Sequence, residues 1–192
     1  MKVQVIVGST RPGRVSDRIA KWVVNHANQL DGVDAELVDL KDYDLPMLDE
    51  PISPQYNPER QPNDEAKRWL DKLGEADGYV LVTPEYNRSY PAVLKNALDY
   101  VDFQLKRKPV ALVAHGSTGG AQAVAHLRGV IPGLQSFTVP SATFLVGRAG
   151  LMFDEDGNLD KSVQGPQVAL ENTLDELTWY AEALASARVS QE

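Results

Sequence analysis

The chain has no cysteine among its 192 residues. Disulfides, thiolate catalysis and cysteine-ligated metals are thereby excluded. No apolar run approaches the roughly 20 residues that a membrane-spanning helix needs, so no membrane partner is expected. The first residues enter a strand pattern directly, with no cationic segment leading into an apolar one. No secretory signal is read from them, and a cytoplasmic location is expected. Basic residues are in deficit, 19 Lys and Arg against 27 Asp and Glu. The net charge of -8 argues against nucleic acid, which needs a basic face. Histidine is scarce, with three in all, and none is grouped with carboxylates at ligand spacing, so no metal is expected. Several motifs are missing as well. There is no GK[ST] phosphate loop, no G-x-G-x-x-G dinucleotide fingerprint and no G-x-S-x-G nucleophile elbow.

What is present is an ordinary globular composition, 43% hydrophobic and 24% charged, in a chain long enough for one well-buried core. Residues 1–192 are read as a single domain. Strand-like and helix-like patterns alternate along it. Strands are expected at Lys2–Val7, Asp34–Leu40, Gly78–Thr83, Pro109–Ala114 and Ser136–Val146. Helices are expected at Ser16–Leu30, Asp64–Ala76, Ala92–Leu105, Gly119–Ile131 and Gln167–Ala187. Residues 41–63, with five prolines, read as a long loop, a candidate lid or partner-contacting arm. Five strands alternating with five helices predict an α/β fold, a parallel sheet covered on both faces.

In such sheets ligands bind at the carboxyl ends of the strands, where strand order reverses. Three polar loops follow strands one, three and four, and their convergence is the functional argument. The first, Gly8 to Ser16, offers Ser9, Thr10, Arg11, Arg14 and Ser16 ahead of a helix. Backbone N–H groups at a helix start attract a phosphate, and arginine supplies a planar fork of donors. Ser9 or Ser16 capping the helix, with solvated arginines, is the simpler alternative.

The second loop, Thr83 to Pro91, sets Glu85, Tyr86 and Asn87 between two prolines. Its backbone can meet a flat heterocycle while Tyr86 covers a ring face. Glu85 could bond such a ring or face solvent. Pro91 suits the first helical position. The third loop is His115-Gly116-Ser117-Thr118-Gly119-Gly120. Its glycines allow close backbone approach. His115 reads either as an acid/base group or as a polar residue packed at a strand end. His26 and His126 fall within helical patterns as ordinary positions.

Together these loops resemble the NADPH-dependent FMN reductase family, a flavodoxin-like group. The first loop is similar to the family's G-S-x-R-x-x-S, with one extra residue between Arg11 and Ser16. The second carries T-P-E-Y-N intact as Thr83 to Asn87, followed by Pro91-Ala92-Val93-Leu94-Lys95-Asn96-Ala97-Leu98-Asp99. The match covers roughly residues 2–146. The resemblance implies a flavodoxin-like three-layer sandwich with FMN as cofactor. Ser9, Arg11, Ser16 and Arg14, beside Val15, would hold the phosphate. Pro84, Glu85, Tyr86 and Asn87 would contact the isoalloxazine ring. His115, Gly116, Ser117, Gly119 and Gly120 would line its other side.

The activity so implied is hydride transfer from NADPH or NADH through FMN N5 to a small acceptor: a quinone, free flavin, a nitro or azo compound, or a metal oxyanion. Ping-pong kinetics is expected, with no catalytic side chain. A homodimer or homotetramer is expected too, with the Leu94 to Leu105 stripe at an interface or in the core. Arg88 or Arg107 is the arginine to meet a 2′-phosphate. A non-catalytic FMN-binding electron carrier or regulatory flavoprotein is the alternative, distinguished by failing to react with NADPH.

Overall fold

A computed structural model describes residues 1–189. Its five strands are β1 (Lys2–Val7), β2 (Asp34–Asp39), β3 (Gly78–Pro84), β4 (Pro109–Gly116) and β5 (Phe137–Val146). They form one parallel sheet in the order β2-β1-β3-β4-β5. Its helices are α1 (Ser16–Ala27), α2 (Asp64–Gly74), α3 (Ala92–Asp99), α4 (Ala121–Val130) and α5 (Pro166–Val189).

The central strands are apolar on both faces because helices cover both. Val3, Val5 and Val7 pack with Ile19, Val23 of α1 and Leu170, Leu174, Leu177 of α5. Ile6 and Leu81 face the other way, onto Trp69 of α2, Leu94 and Leu98 of α3 and Leu127 of α4. This is the expected three-layer α/β sandwich. The strand order reverses between β1 and β3. There the Gly8 N–H donates to the Val82 carbonyl at 2.8 Å. A Cβ on Gly8 would lie 2.9 Å from that same carbonyl oxygen, so the chain leaves β1 through a gap only glycine fits.

Several helix ends differ from expectation for local reasons. α1 stops at Ala27 because the Asn28 side chain leaves the helix to exchange two hydrogen bonds with Ala35 of β2. α3 stops at Asp99, six residues early. Asp102 accepts from the Phe103 N–H and Gln104 from the Asp102 N–H, bonds that compete with helix continuation. Val101 and Leu105 still reach the core through the turns that follow. α4 begins at Ala121 because Gly119 and Gly120 are left-handed, with φ of 77° and 84°.

The proline-rich segment 41–63 is fastened along α3. Asn96 accepts from the Leu48 N–H and donates to the Pro46 carbonyl, and the Tyr100 hydroxyl donates to that carbonyl as well. Arg60 pairs with Glu50 and Asp102, and Gln55 reaches Gly133 beyond α4.

Candidate functional site

The three loops meet at the carboxyl edge of β1, β3 and β4. Each is tied to another by a hydrogen bond. The Ser9 and Tyr86 hydroxyls are 2.9 Å apart, joining the first loop to the second. Ser16 Oγ lies 2.9 Å from His115 Nε2, joining the first to the third. The Glu85 N–H donates to the His115 carbonyl at 2.9 Å, joining the second to the third.

The first loop builds a recess for an anion. α1 starts after Val15, and no side chain caps it. Within its first turn the Arg18 N–H donates to Asp17 Oδ1 at 3.0 Å, and a helix start without an N-cap bond leaves amides for an outside partner. Ser9 and Ser16 are 1% and 0% exposed, so neither hydroxyl spends itself on water. Pro12 and Gly13 form a tight turn, closed by the Arg14 N–H on the Arg11 carbonyl at 3.1 Å, with Gly13 at φ 70°. The two arginines leave this turn in different directions. Arg11 is exposed, its guanidinium carbon 5.5 Å from the Tyr86 ring centroid. Arg14 turns inward and is held by both carboxylate oxygens of Asp39. Its guanidinium is committed to Asp39 and to the Ser9 carbonyl. Val15 contributes as the residue ahead of the helix, its side chain set against the α1–α5 core.

The second loop contains a two-residue turn. Tyr86 and Ser89 exchange both backbone hydrogen bonds, at 2.7 and 3.0 Å. Asn87 and Arg88 between them have φ of 50° and 70°. Positive φ at both central positions is a type I′ turn, which Asn tolerates and Arg does not favour. Pro91 precedes the first helical residue of α3 rather than occupying it. The Glu85 carboxylate accepts from the Gln122 N–H at 2.9 Å and the Thr118 hydroxyl at 3.3 Å, stabilising the start of α4. Pro84 is buried as the last residue of β3.

In the third loop Gly116 accepts from the Gly119 and Gly147 N–H groups. A Cβ on Gly120 would stand 2.6 Å from the Ala114 Cβ, so the loop closes onto β4 only with glycine there. Glu85, Asn87, Arg88, Ser117 and Thr118 line a cavity of about 450 Å³ between the second and third loops. Burial lowers the His115 imidazole to about 4, which favours its neutral form near pH 7. His126 bonds Ser89 at 2.9 Å and His26 bonds the Trp22 carbonyl, both from helical positions as expected. Among the described residues no cluster of three metal-ligating side chains occurs.

Leu94, Ala97, Leu98, Val101 and Leu105 lie in the chain's own core, one of the two places expected for that stripe. Arg107 precedes β4, at the sheet edge opposite the three loops. Sequence reasoning missed Asp39. Its position at the carboxyl end of β2, the strand beside β1, was the signal that could have found it.

The comparisons with known proteins agree on one family. Residues 1–150 match the family model described as NADPH-dependent FMN reductase. An NAD(P)H-dependent FMN reductase of Schizosaccharomyces pombe is 39% identical over 140 residues, 73% of this chain and 70% of that protein. An FMN-dependent NADPH-azoreductase of Staphylococcus haemolyticus is 34% identical, covering 73% of this chain and 74% of that one. The solved structure of FerB, a flavoenzyme NAD(P)H:(acceptor) oxidoreductase from Paracoccus denitrificans, superposes with a TM-score of 0.69 at 25% identity. It covers 93% of this chain and 98% of its own.

Proposed function

The chain belongs to the NADPH-dependent FMN reductase family, an oxidoreductase with FMN as cofactor and NAD(P)H as donor, and on that premise we propose how its loops hold FMN and what it reduces. The supporting observation is the recess of the first loop. An uncapped helix start, two buried hydroxyls and an arginine with no carboxylate partner among the described residues suit a phosphate dianion. Ser9, Arg11 and Ser16 hold that phosphate. Arg11 is its cation, because Arg14 is committed to Asp39.

The residues present also fit a flat ring. Residues Pro84 to Asn87 present one wall and Gly116 to Gly120 the other, with Gly120 unable to carry a side chain. Bound FMN supplies hydride chemistry between NAD(P)H and the acceptor. The protein binds the phosphate, orients the ring and aims backbone N–H donors of the third loop at its edge, where they stabilise developing negative charge. No side chain is asked to move a proton. His115 stays neutral and holds the Ser16 hydroxyl in place.

The acceptor is a small molecule that shares the open face with the donor, which requires a ping-pong order. The chain works as a homo-oligomer in the cytoplasm, using a surface other than the buried α3 stripe. Among the described residues no helix is long and apolar enough to cross a membrane. Initial rates at several fixed NADPH concentrations test the order. Parallel double-reciprocal lines against a quinone or azo acceptor are expected, and intersecting lines contradict it.

A further inference from the structure

The turn Arg11-Pro12-Gly13-Arg14 divides its two arginines between two tasks. Arg14 and Asp39 are nearly sealed from solvent, with side chains 11% and 14% exposed. Arg14 Nη1 donates to Asp39 Oδ1 at 2.8 Å and Nη2 donates to Oδ2. Nη1 also donates to the Ser9 carbonyl at 2.5 Å, and Nε stands 3.9 Å from Asp17. A guanidinium has five N–H groups in a fixed fork. Here that fork faces β2 and the Ser9 backbone.

We propose that Arg14, locked by Asp39, is a positioning residue for FMN: it grips the Ser9 carbonyl and so sets the backbone of the loop that receives the phosphate. The inference rests on the phosphate reading given above. In a trans peptide the carbonyl and the following N–H point in opposite directions. Holding the Ser9 carbonyl toward Asp39 therefore aims the Thr10 N–H to the other side of the loop. It also fixes the Cα from which the buried Ser9 hydroxyl projects. Arg on this two-point pair is not replaceable by Lys, which has no fork. Asp39 belongs to β2, so this strand, which carries none of the three loops, still governs the cofactor.

The test is flavin titration of the full-length apoprotein with FMN and with riboflavin, which lacks the phosphate. Wild type, Arg14→Ala, Arg14→Lys, Asp39→Ala and Asp39→Asn are compared. Arg14→Ala, Arg14→Lys and Asp39→Ala each weaken FMN binding about tenfold, while riboflavin binding stays within about twofold of wild type. The isosteric Asp39→Asn keeps the fold if the alanine variants lose it, and gives a smaller shift in the same direction. A direct phosphate contact by Arg14 predicts the opposite for Asp39→Ala, which would free the guanidinium. Unchanged or tighter FMN binding in that variant overturns the proposal. An equal fall in FMN and riboflavin binding marks general loosening and overturns it too. If wild type itself fails to prefer FMN over riboflavin, the phosphate reading fails and this inference fails with it. A wild-type preference that survives in all four variants sinks the inference alone.

Discussion

The hydroxyls of Ser9 and Tyr86 stand 2.9 Å apart, and Arg11 lies over the same tyrosine ring. One aromatic side chain thus touches two of the three groups assigned to the phosphate. Tyr86→Phe removes the hydroxyl contact and keeps the ring under Arg11. We expect it to lower the unfolding free energy of the apoprotein by about 1 kcal/mol, measured by urea denaturation. Its preference for FMN over riboflavin should persist. Ser9→Ala should erode that preference, because it deletes a hydroxyl that we assign to the phosphate.

Gly120 is required for the third loop to close. Its φ of 84° and the 2.6 Å approach of an added Cβ to Ala114 leave no room for relaxation without moving β4. Gly120→Ala should cost about 2 kcal/mol or more of stability, read from the denaturant midpoint. Gly129 sits in open helix surface and serves as a control. Gly129→Ala should be neutral or mildly stabilising.

His115 links stability to pH. Its folded-state value, lowered by burial to about 4, sits beneath the ordinary 6.5. The unfolded chain therefore takes up a proton that the folded chain refuses. The contribution of the neutral imidazole is complete above about pH 6.5 and is lost as pH falls through the window toward 4. His115→Gln removes this dependence. Between pH 7 and 4.5 wild type should lose roughly 2 kcal/mol more than the variant, less than full burial would give, because the residue keeps some exposure.

Leu98 tests whether the α3 stripe is core or interface. It is 2% exposed within the chain, packed among residues of the α2–α4 layer. Leu98→Ala should cost about 2–5 kcal/mol by leaving a cavity. The oligomeric state, measured by light scattering, should not change at concentrations where the variant stays folded.

The layered α/β fold was legible because periodicity and strand–helix alternation are local signals. So was the meeting of the three loops, since strand order confines them to one edge. What escaped was decided by side-chain bonds across the fold. Arg14 and Arg11 look equivalent in a string of letters, and only β2 lying beside β1 brings Asp39 to one of them. Glu85 could be placed near the site, but its capture by the start of α4 depends on where β4 ends. Residues 41–63 looked free because prolines hide the fact that Asn96 and Tyr100 fasten them.

The most direct check is a crystal structure of the protein loaded with FMN. The phosphate should lie within hydrogen-bond reach of Ser9, Arg11 and Ser16, with Arg14 still on Asp39 and the ring between residues 84–87 and 116–120. A phosphate bonded to Arg14, or a flavin seated away from these loops, would contradict the account.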